Sequence, residues 1–191
     1  DRFIKLSDQS LSSELVKLSS RDRSLATVDL SSASDRLSCW VVERIFRSAP
    51  SLLEALHASR TQTLSLTRRG RTETLFLNKF ASQGTAVTFP VQSFVFLCVA
   101  LASSIKGPIT ERSIRRMVNQ VRVYGDDIII PTHGYETLVQ CLELMQLKVN
   151  TSKSYTKGYF RESCGSDAYM GDDVTPCKPQ KLGSYDTASR E

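Results

Sequence analysis

Cysteine is scarce and poorly placed for metal or cross-link chemistry. Cys39, Cys98, Cys141, Cys164 and Cys177 are odd in number, widely spread, and form no Cys-x-x-Cys pair or grouping with histidine. That pattern argues against a disulfide framework and a structural zinc site, and for reduced thiols in a cytosolic protein. Histidine occurs twice, and His57 has no motif around it, so it reads as a surface or packed side chain. Long apolar runs are missing as well. The longest, Val91 to Ala102, is broken by Gln92 and Ser93 and is too short to cross a bilayer, so no membrane partner is expected. Asp1 to Lys5 form no secretory signal and include no initiator Met. No internal repeat and no linker divides the sequence. Charge of one sign is only modestly in excess: 25 Lys and Arg against 20 Asp and Glu give +5, which fits a phosphate-bearing partner without requiring one. The 191 residues, 40% of them hydrophobic, suffice for one ordered domain or a large piece of one.

The richest stretch is Val121-Arg-Val-Tyr-Gly-Asp-Asp-Ile-Ile-Ile-Pro131. β-Branched and aromatic residues on either side favour strands, and Gly125 tolerates a positive φ, so the spacing predicts a hairpin with Asp126 and Asp127 at its tip. Two adjacent carboxylates on an apolar scaffold are costly unless a cation or a basic ligand neutralises them. A solvated Gly-Asp-Asp turn is the plain alternative.

Upstream, Ile4 to Ser20 predicts an amphipathic helix with Leu11, Leu15 and Leu18 on its apolar face. Ser24 to Leu30 reads as a buried strand with Asp29 at its carboxyl end, a common place for a ligand-facing group. Asp35 then either caps a helix carrying Leu37, Trp40, Val41 and Ile45 or serves a site, and both readings stand. Ser51, after Pro50, is expected to cap a short helix over Leu52, Leu53 and Leu56. Thr61–Leu66 and Thr72–Leu77 predict a hairpin whose loop, Thr67 to Arg71, is basic; a solvated loop and a phosphate contact both fit it. Phe80 to Phe96 is a small-residue loop entering a long apolar helix that ends near Ala102, with Gly84, Ser82 and Thr85 placed to cradle a phosphate or a template strand. Glu111 to Arg116 is a basic helical stretch. Gly134 to Leu147 has a helical apolar stripe, Lys148 to Tyr155 returns as a strand or extended turn bearing Lys153, and Lys157 to Lys181 predicts a short hairpin. If the strands ending in Asp29 and at Asp126-Asp127 pair, three carboxylates converge. Alternation along a strand prevents Asp126 and Asp127 from both facing Asp29, and Asp126 is taken as the main ligand. Two Mg²⁺ ions roughly 3.5–4 Å apart on such carboxylates are the usual device for in-line attack of a hydroxyl on a phosphoryl group.

Asp29-Leu-Ser-Ser-Ala-Ser-Asp-Arg36, Phe80-Ala-Ser-Gln-Gly84 with Thr88-Phe-Pro-Val-Gln-Ser93, Tyr124-Gly-Asp-Asp127, Lys148-Val-Asn-Thr-Ser-Lys153 and Phe160-Arg-Glu-Ser-Cys-Gly165 occur in the order of motifs A to E of viral RNA-dependent RNA polymerases. The sequence most closely resembles the replicase catalytic (beta) subunit of the levivirus group of positive-strand RNA bacteriophages, over residues 20–180.

The resemblance implies an α+β fold: a polymerase palm with an antiparallel sheet packed on helices, plus parts of the fingers and the start of the thumb. Residues 1–191 would be a palm-centred fragment, inactive alone, with most of the fingers before residue 1 and most of the thumb after residue 191. It implies that Asp29 and Asp126 bind two catalytic Mg²⁺ ions, for which Mn²⁺ can substitute, with Asp127 assisting. Asp35 would read the ribose of the incoming nucleotide, and Lys153 would protonate the pyrophosphate leaving group. Ser82, Gly84, Thr88 and Gln92 would contact nucleotide and template. Many members of the class carry Asn where this chain has Gln92, so recognition of the 2′-hydroxyl departs from the pattern. The implied partners are RNA template and product, ribonucleoside triphosphates and host elongation factors Tu and Ts, in the cytoplasm of an infected bacterium. A reverse transcriptase-like polymerase and a catalytically inactive RNA-binding relative are the alternatives. Asp35 in place of a bulky side chain favours ribonucleotides, and the intact carboxylate set argues against an inactive copy.

Overall fold

The computed structural model describes residues 3–81 and 85–177. Ser82 and Gly84, two of the expected binding residues, lie outside the described residues, as does the end of the last expected hairpin. The chain opens with helix α1 (Ser10–Asp22) and strand β1 (Leu25–Val28), followed by the short β2 (Leu30–Ser31). Three helices come next: α2 (Ala33–Arg36), α3 (Cys39–Phe46) and α4 (Pro50–Ser59). Strands β3 (Thr63–Arg68) and β4 (Arg71–Phe76) form a hairpin, and α5 (Thr88–Ser104) and α6 (Glu111–Arg116) lead into β5 (Arg122–Tyr124) and β6 (Asp127–Pro131). Helix α7 (Tyr135–Leu144), β7 (Lys148–Val149), a 3₁₀ turn (Thr151–Lys153) and the strands β8 (Phe160–Ser163), β9 (Ser166–Tyr169) and β10 (Asp172–Asp173) complete the described chain. Helices and small antiparallel sheets together make this an α+β protein.

The central sheet has the order β1-β6-β5, all antiparallel. Both of its faces are covered, which is why Ile128-Ile-Ile130 is an unbroken apolar run rather than an alternating one. Ile128 and Ile130 join Val28, Phe96, Leu138 and Leu142 in the main core, whereas Ile129 turns the other way to Val16, Leu25 and Ala168. The main core is built around α5, which buries Val91, Val95, Phe96 and Ala100 between the sheet and its neighbouring helices. On the opposite face Arg161 of β8 is fully buried; its guanidinium donates to the carbonyls of Leu25 (2.8 Å) and Phe160 (2.6 Å), tying β8 to β1. Burial lowers its pKa, yet a guanidinium stays charged at any ordinary pH.

Three local expectations are corrected, and one open alternative, at Asp35, is decided. Helix α1 does not bury the stripe Leu11, Leu15 and Leu18; Leu11 and Leu18 are exposed, and the inward face is Ser12, Val16, Ser19 and Ser20. Small side chains there let β9 and the turn after it come close, with a hydrogen bond between the Ser13 and Ser166 hydroxyls and one from the Gly171 amide to Ser20 Oγ at 2.9 Å. Ser51 is not a cap: Pro50 takes the first position of α4, where its missing N–H costs nothing, and Ala49 precedes it. Asp35 does not cap the apolar helix, because Ser38 does so, accepting from the Val41 amide at 3.3 Å. The last hairpin gains a third strand, β10.

Candidate active site

The register of the central sheet brings the acidic residues to one end. Val28 pairs with Ile128, so one more step in the same register sets Asp29 against Asp127. Tyr124 pairs with Asp127, which leaves Gly125 and Asp126 as a two-residue turn. Gly125 adopts φ +63°, a conformation that glycine enters without steric penalty. Its amide donates to Ser93 Oγ at 2.9 Å, and that hydroxyl donates to the Phe89 carbonyl at 2.7 Å. The Phe89 ring lies against Gly125 and meets Tyr124 edge-on, with centroids 4.9 Å apart. Helix α5 therefore sets the position of the acidic turn.

Each carboxylate has its own surroundings. Burial, with the Asp29 charge adding, raises the Asp126 pKa, while the charge of Lys153 opposes the rise. Asp127 is pushed up to about 6, first by burial and then by the Asp126 and Asp29 charges, against the Cys164 backbone N–H that favours its ionised form. Ser163 also donates to it at 3.4 Å, so the β8–β9 turn holds this side chain. Burial and the neighbouring Asp127 push the Cys164 thiol to about 11, which leaves it protonated and inert at neutral pH. Asp29 accepts from Asn150 Nδ2 at 2.8 Å, and its carbonyl accepts the Asn150 amide at 2.9 Å. The three carboxylates thus repel one another at one end of the sheet, but among the described residues no three His, Cys, Asp or Glu side chains are arranged to hold a metal ion.

This electrostatic setting predicts a pH dependence. A carboxyl with a folded pKa near 6 instead of 3.8 binds its proton more tightly when folded, so its contribution to stability is complete below pH 3.8 and lost as pH rises through about 6. In metal-free full-length protein, the stability of wild type relative to Asp127→Asn should fall by on the order of 2–3 kcal/mol across that window. Denaturant unfolding at a series of pH values measures it, and a flat difference would contradict the burial described.

Beside the acidic turn lies a cavity of ≈ 560 Å³ lined by Ser32, Ala33, Ser34, Asp35, Thr85, Thr88, Phe89, Gln92 and Asp126. It gathers five of the residues expected from sequence, namely Asp35, Thr85, Thr88, Gln92 and Asp126. Asp29, Asp127 and Lys153 are not in its wall. Gln92 is only 6% exposed, and its Oε1 has no partner among the described residues, so a buried acceptor is left for something that enters. Asp35 is exposed and holds Lys79 Nζ at 2.9 Å. Ser93, Phe89, Asn150 and the Ser163-Cys164 turn were not singled out as site residues by sequence. Ser93 and Phe89 sit within the stretch Thr88–Ser93, but a hydrogen bond between residues 32 positions apart has no local signature.

A sequence model of the family described as "RNA replicase, beta-chain" matches residues 2–181. The RNA-directed RNA polymerase beta chain of Enterobacteria phage GA is 34% identical over 180 residues, 92% of this chain and 31% of that protein. The RNA-directed RNA polymerase subunit beta of Qbeta virus (strain MX1) is 34% identical over 177 residues, covering 91% and 28%. The beta chain from Enterobacteria phage fr is 34% identical over 173 residues, covering 91% and 29%. The chain thus spans about three-tenths of the length of these relatives. With five expected site residues around one cavity and nearly the whole sequence matched, the chain belongs to the RNA replicase beta-chain family.

Proposed function

We propose that this chain is the palm-centred segment of a viral RNA-directed RNA polymerase that joins ribonucleotides on an RNA template. The observation that carries the reading is the cavity in which Asp35, Thr88 and the unpartnered Gln92 Oε1 face Asp126, beside the sheet end that carries Asp29 and Asp127. On this reading RNA template and product and ribonucleoside triphosphates are the partners, elongation factors Tu and Ts join the whole protein, and the setting is the cytoplasm of an infected bacterium. Among the described residues no helix is long and apolar enough to cross a membrane.

The donor chemistry suits Mg²⁺, which is held by one or two carboxylates together with substrate phosphates and water rather than by an all-protein cage. Asp29 and Asp126, with Asp127 assisting, would share two such ions, or Mn²⁺ in their place, with substrate phosphates and water, because the three carboxylates do not by themselves form a metal cage. Bound there, the ions supply charge stabilisation to the attacking and leaving oxygens. The burial and mutual repulsion that raise the Asp126 and Asp127 pKa values are what a cation relieves. Ser93 and Phe89 keep Asp126 in place through Gly125. Lys153, whose charge reaches Asp126, would on this reading give a proton to the departing pyrophosphate. Gln92 Oε1 and the Asp35 carboxylate are acceptors, matching the hydroxyl donors of a ribose.

Because Ser38 caps α3, replacing Asp35 with Asn leaves that cap untouched. In the full-length protein, Asp35→Asn should lower the preference for ribonucleotides over 2′-deoxyribonucleotides by roughly five- to a hundredfold, the cost of an unmatched polar contact. The measurement is kcat/KM for both nucleotide types on one RNA template. An unchanged ratio removes Asp35 from sugar recognition, deoxynucleotide preference in the wild type would favour a reverse transcriptase, and folded wild type that incorporates neither would be an inactive relative.

A further inference from the structure

The β3–β4 hairpin has no role in the cavity, and its construction is unusual for a piece of a domain. Every residue of both strands is exposed, and among the described residues neither strand pairs with any other. A two-stranded ribbon left alone in water is at best marginally stable, so the arm gains stability from whatever packs on it in the full-length protein. Six residues a side give the arm a reach of about 20 Å. The two-residue tip, Arg69-Gly70, has both φ angles positive, +50° and +76°. Asn, Asp or Gly is the usual choice at the first of these positions, and here an arginine takes it despite the strain.

Arg68, Arg69 and Arg71 cluster at the tip, the arm has one acidic residue, Glu73, and among the described residues no carboxylate forms an ion pair with these arginines. In the strand register Thr63 faces Phe76, Ser65 faces Thr74 and Thr67 faces Thr72, so one side of the ribbon is a row of hydroxyls ending at an aromatic ring that is 81% exposed. Guanidinium groups and hydroxyls contact phosphate and sugar oxygens, and an exposed ring stacks on a base. The root of the arm adjoins the cavity: the Phe80 amide donates to the Leu37 carbonyl at 2.7 Å, and Lys79 holds the cavity-lining Asp35.

We propose that the β3–β4 arm binds the sugar-phosphate backbone of single-stranded RNA as it runs past the cavity, through the arginines of its tip, Arg68, Arg69 and Arg71. The inference rests on the polymerase reading for the identity of that RNA. The pair Arg68 and Arg71 shares the other side of the ribbon with Leu64, Leu66, Glu73 and Leu75, and those leucines are the competing surface, since they would serve a protein partner instead.

The test compares full-length wild type with Arg68→Gln/Arg69→Gln/Arg71→Gln, the matching triple Lys variant and Leu64→Ser/Leu66→Ser/Leu75→Ser. Affinity for a short fluorescent single-stranded RNA is measured without nucleotides over a range of salt. Loss of three phosphate contacts should reduce the slope of log affinity against log salt by about 2 and weaken binding a few tens of times near 0.15 M salt. The Lys variant should keep most of the slope, and the Ser variant should bind as wild type does. Equal affinity and slope in the Gln variant overturn the proposal. So does an equal loss in the Gln and Lys variants, which would reflect shape rather than charge, or a loss confined to the Ser variant, which would make the arm a protein-docking surface. Nucleotide incorporation by the wild type is scored separately. Incorporation with an arm that does not bind RNA defeats this inference alone, whereas an arm that binds RNA in a protein that incorporates nothing defeats the polymerase reading.

Discussion

Replacing Asp126 with Asn in the full-length protein should lower nucleotide incorporation by on the order of a hundred- to a thousandfold, the cost of removing one preorganised electrostatic group at a reacting phosphate. The substitution keeps the shape of the side chain and removes its charge. Asp126 lies in the two-residue turn, where the fold depends on Gly125 and not on the carboxylate. Its ionised form is disfavoured by burial and by Asp29. Neutralising it should therefore leave metal-free stability unchanged or slightly higher while activity collapses. The measurements are incorporation at saturating template and nucleotide, and thermal unfolding in a chelator. Wild-type incorporation by folded Asp126→Asn would remove this residue from the chemistry. A parallel loss of stability would move its role from the reaction to the turn.

The parts of the fold that could be read from sequence are those in which local chemistry and tertiary context agree. Ile128, Ile129 and Ile130 are β-branched and buried on both faces, so propensity and packing both call for a strand. Gly125 in a two-residue turn left little choice of hairpin, and the strand before Asp29 ends where its buried run ends. Apolar periodicity fails for α1 because it assumes that leucine faces inward. Here the neighbouring strand comes close enough to need serine, and Leu11 and Leu18 are left outside. Asp35 was ambiguous because Asp35 and Ser38 both precede an apolar helix and both residue types cap well, and only the Ser38–Val41 hydrogen bond separates them. For the site, residue types nominated Asp35, Thr85 and Asp126, and the resemblance to viral RNA polymerases added Thr88 and Gln92; all five share a cavity. The contacts that orient the acidic residues were out of reach. The bonds from Asn150 to Asp29 and from Gly125 to Ser93 join residues 121 and 32 positions apart, and no periodicity encodes such pairs.

The second large effect is expected at Gly125, where two separate penalties meet. Its φ of +63° disfavours any residue with a Cβ, by about 1 kcal/mol for alanine. A Cβ built there would lie 2.5 Å from Phe89 Cε2 and 3.2 Å from two further ring carbons. Tyr124 packs against the ring on one side, so the open direction for it to withdraw is the cavity that it lines. Overpacking of this kind costs about 1–3 kcal/mol, so Gly125→Ala should destabilise the protein by roughly 2–4 kcal/mol. Activity should fall further than stability explains, because either the turn moves Asp126 or the ring moves into the cavity, and displacement of a reacting group by about 1 Å can cost a hundredfold. Pairing Gly125→Ala with Phe89→Leu divides the two penalties. The smaller side chain should restore part of the stability by relieving the overlap while the φ strain persists, giving a coupling that a double-mutant cycle detects. Additive losses in the cycle would mean that Phe89 does not confine the turn, and near-wild-type incorporation by Gly125→Ala would show that the position of Asp126 does not depend on glycine at the neighbouring residue.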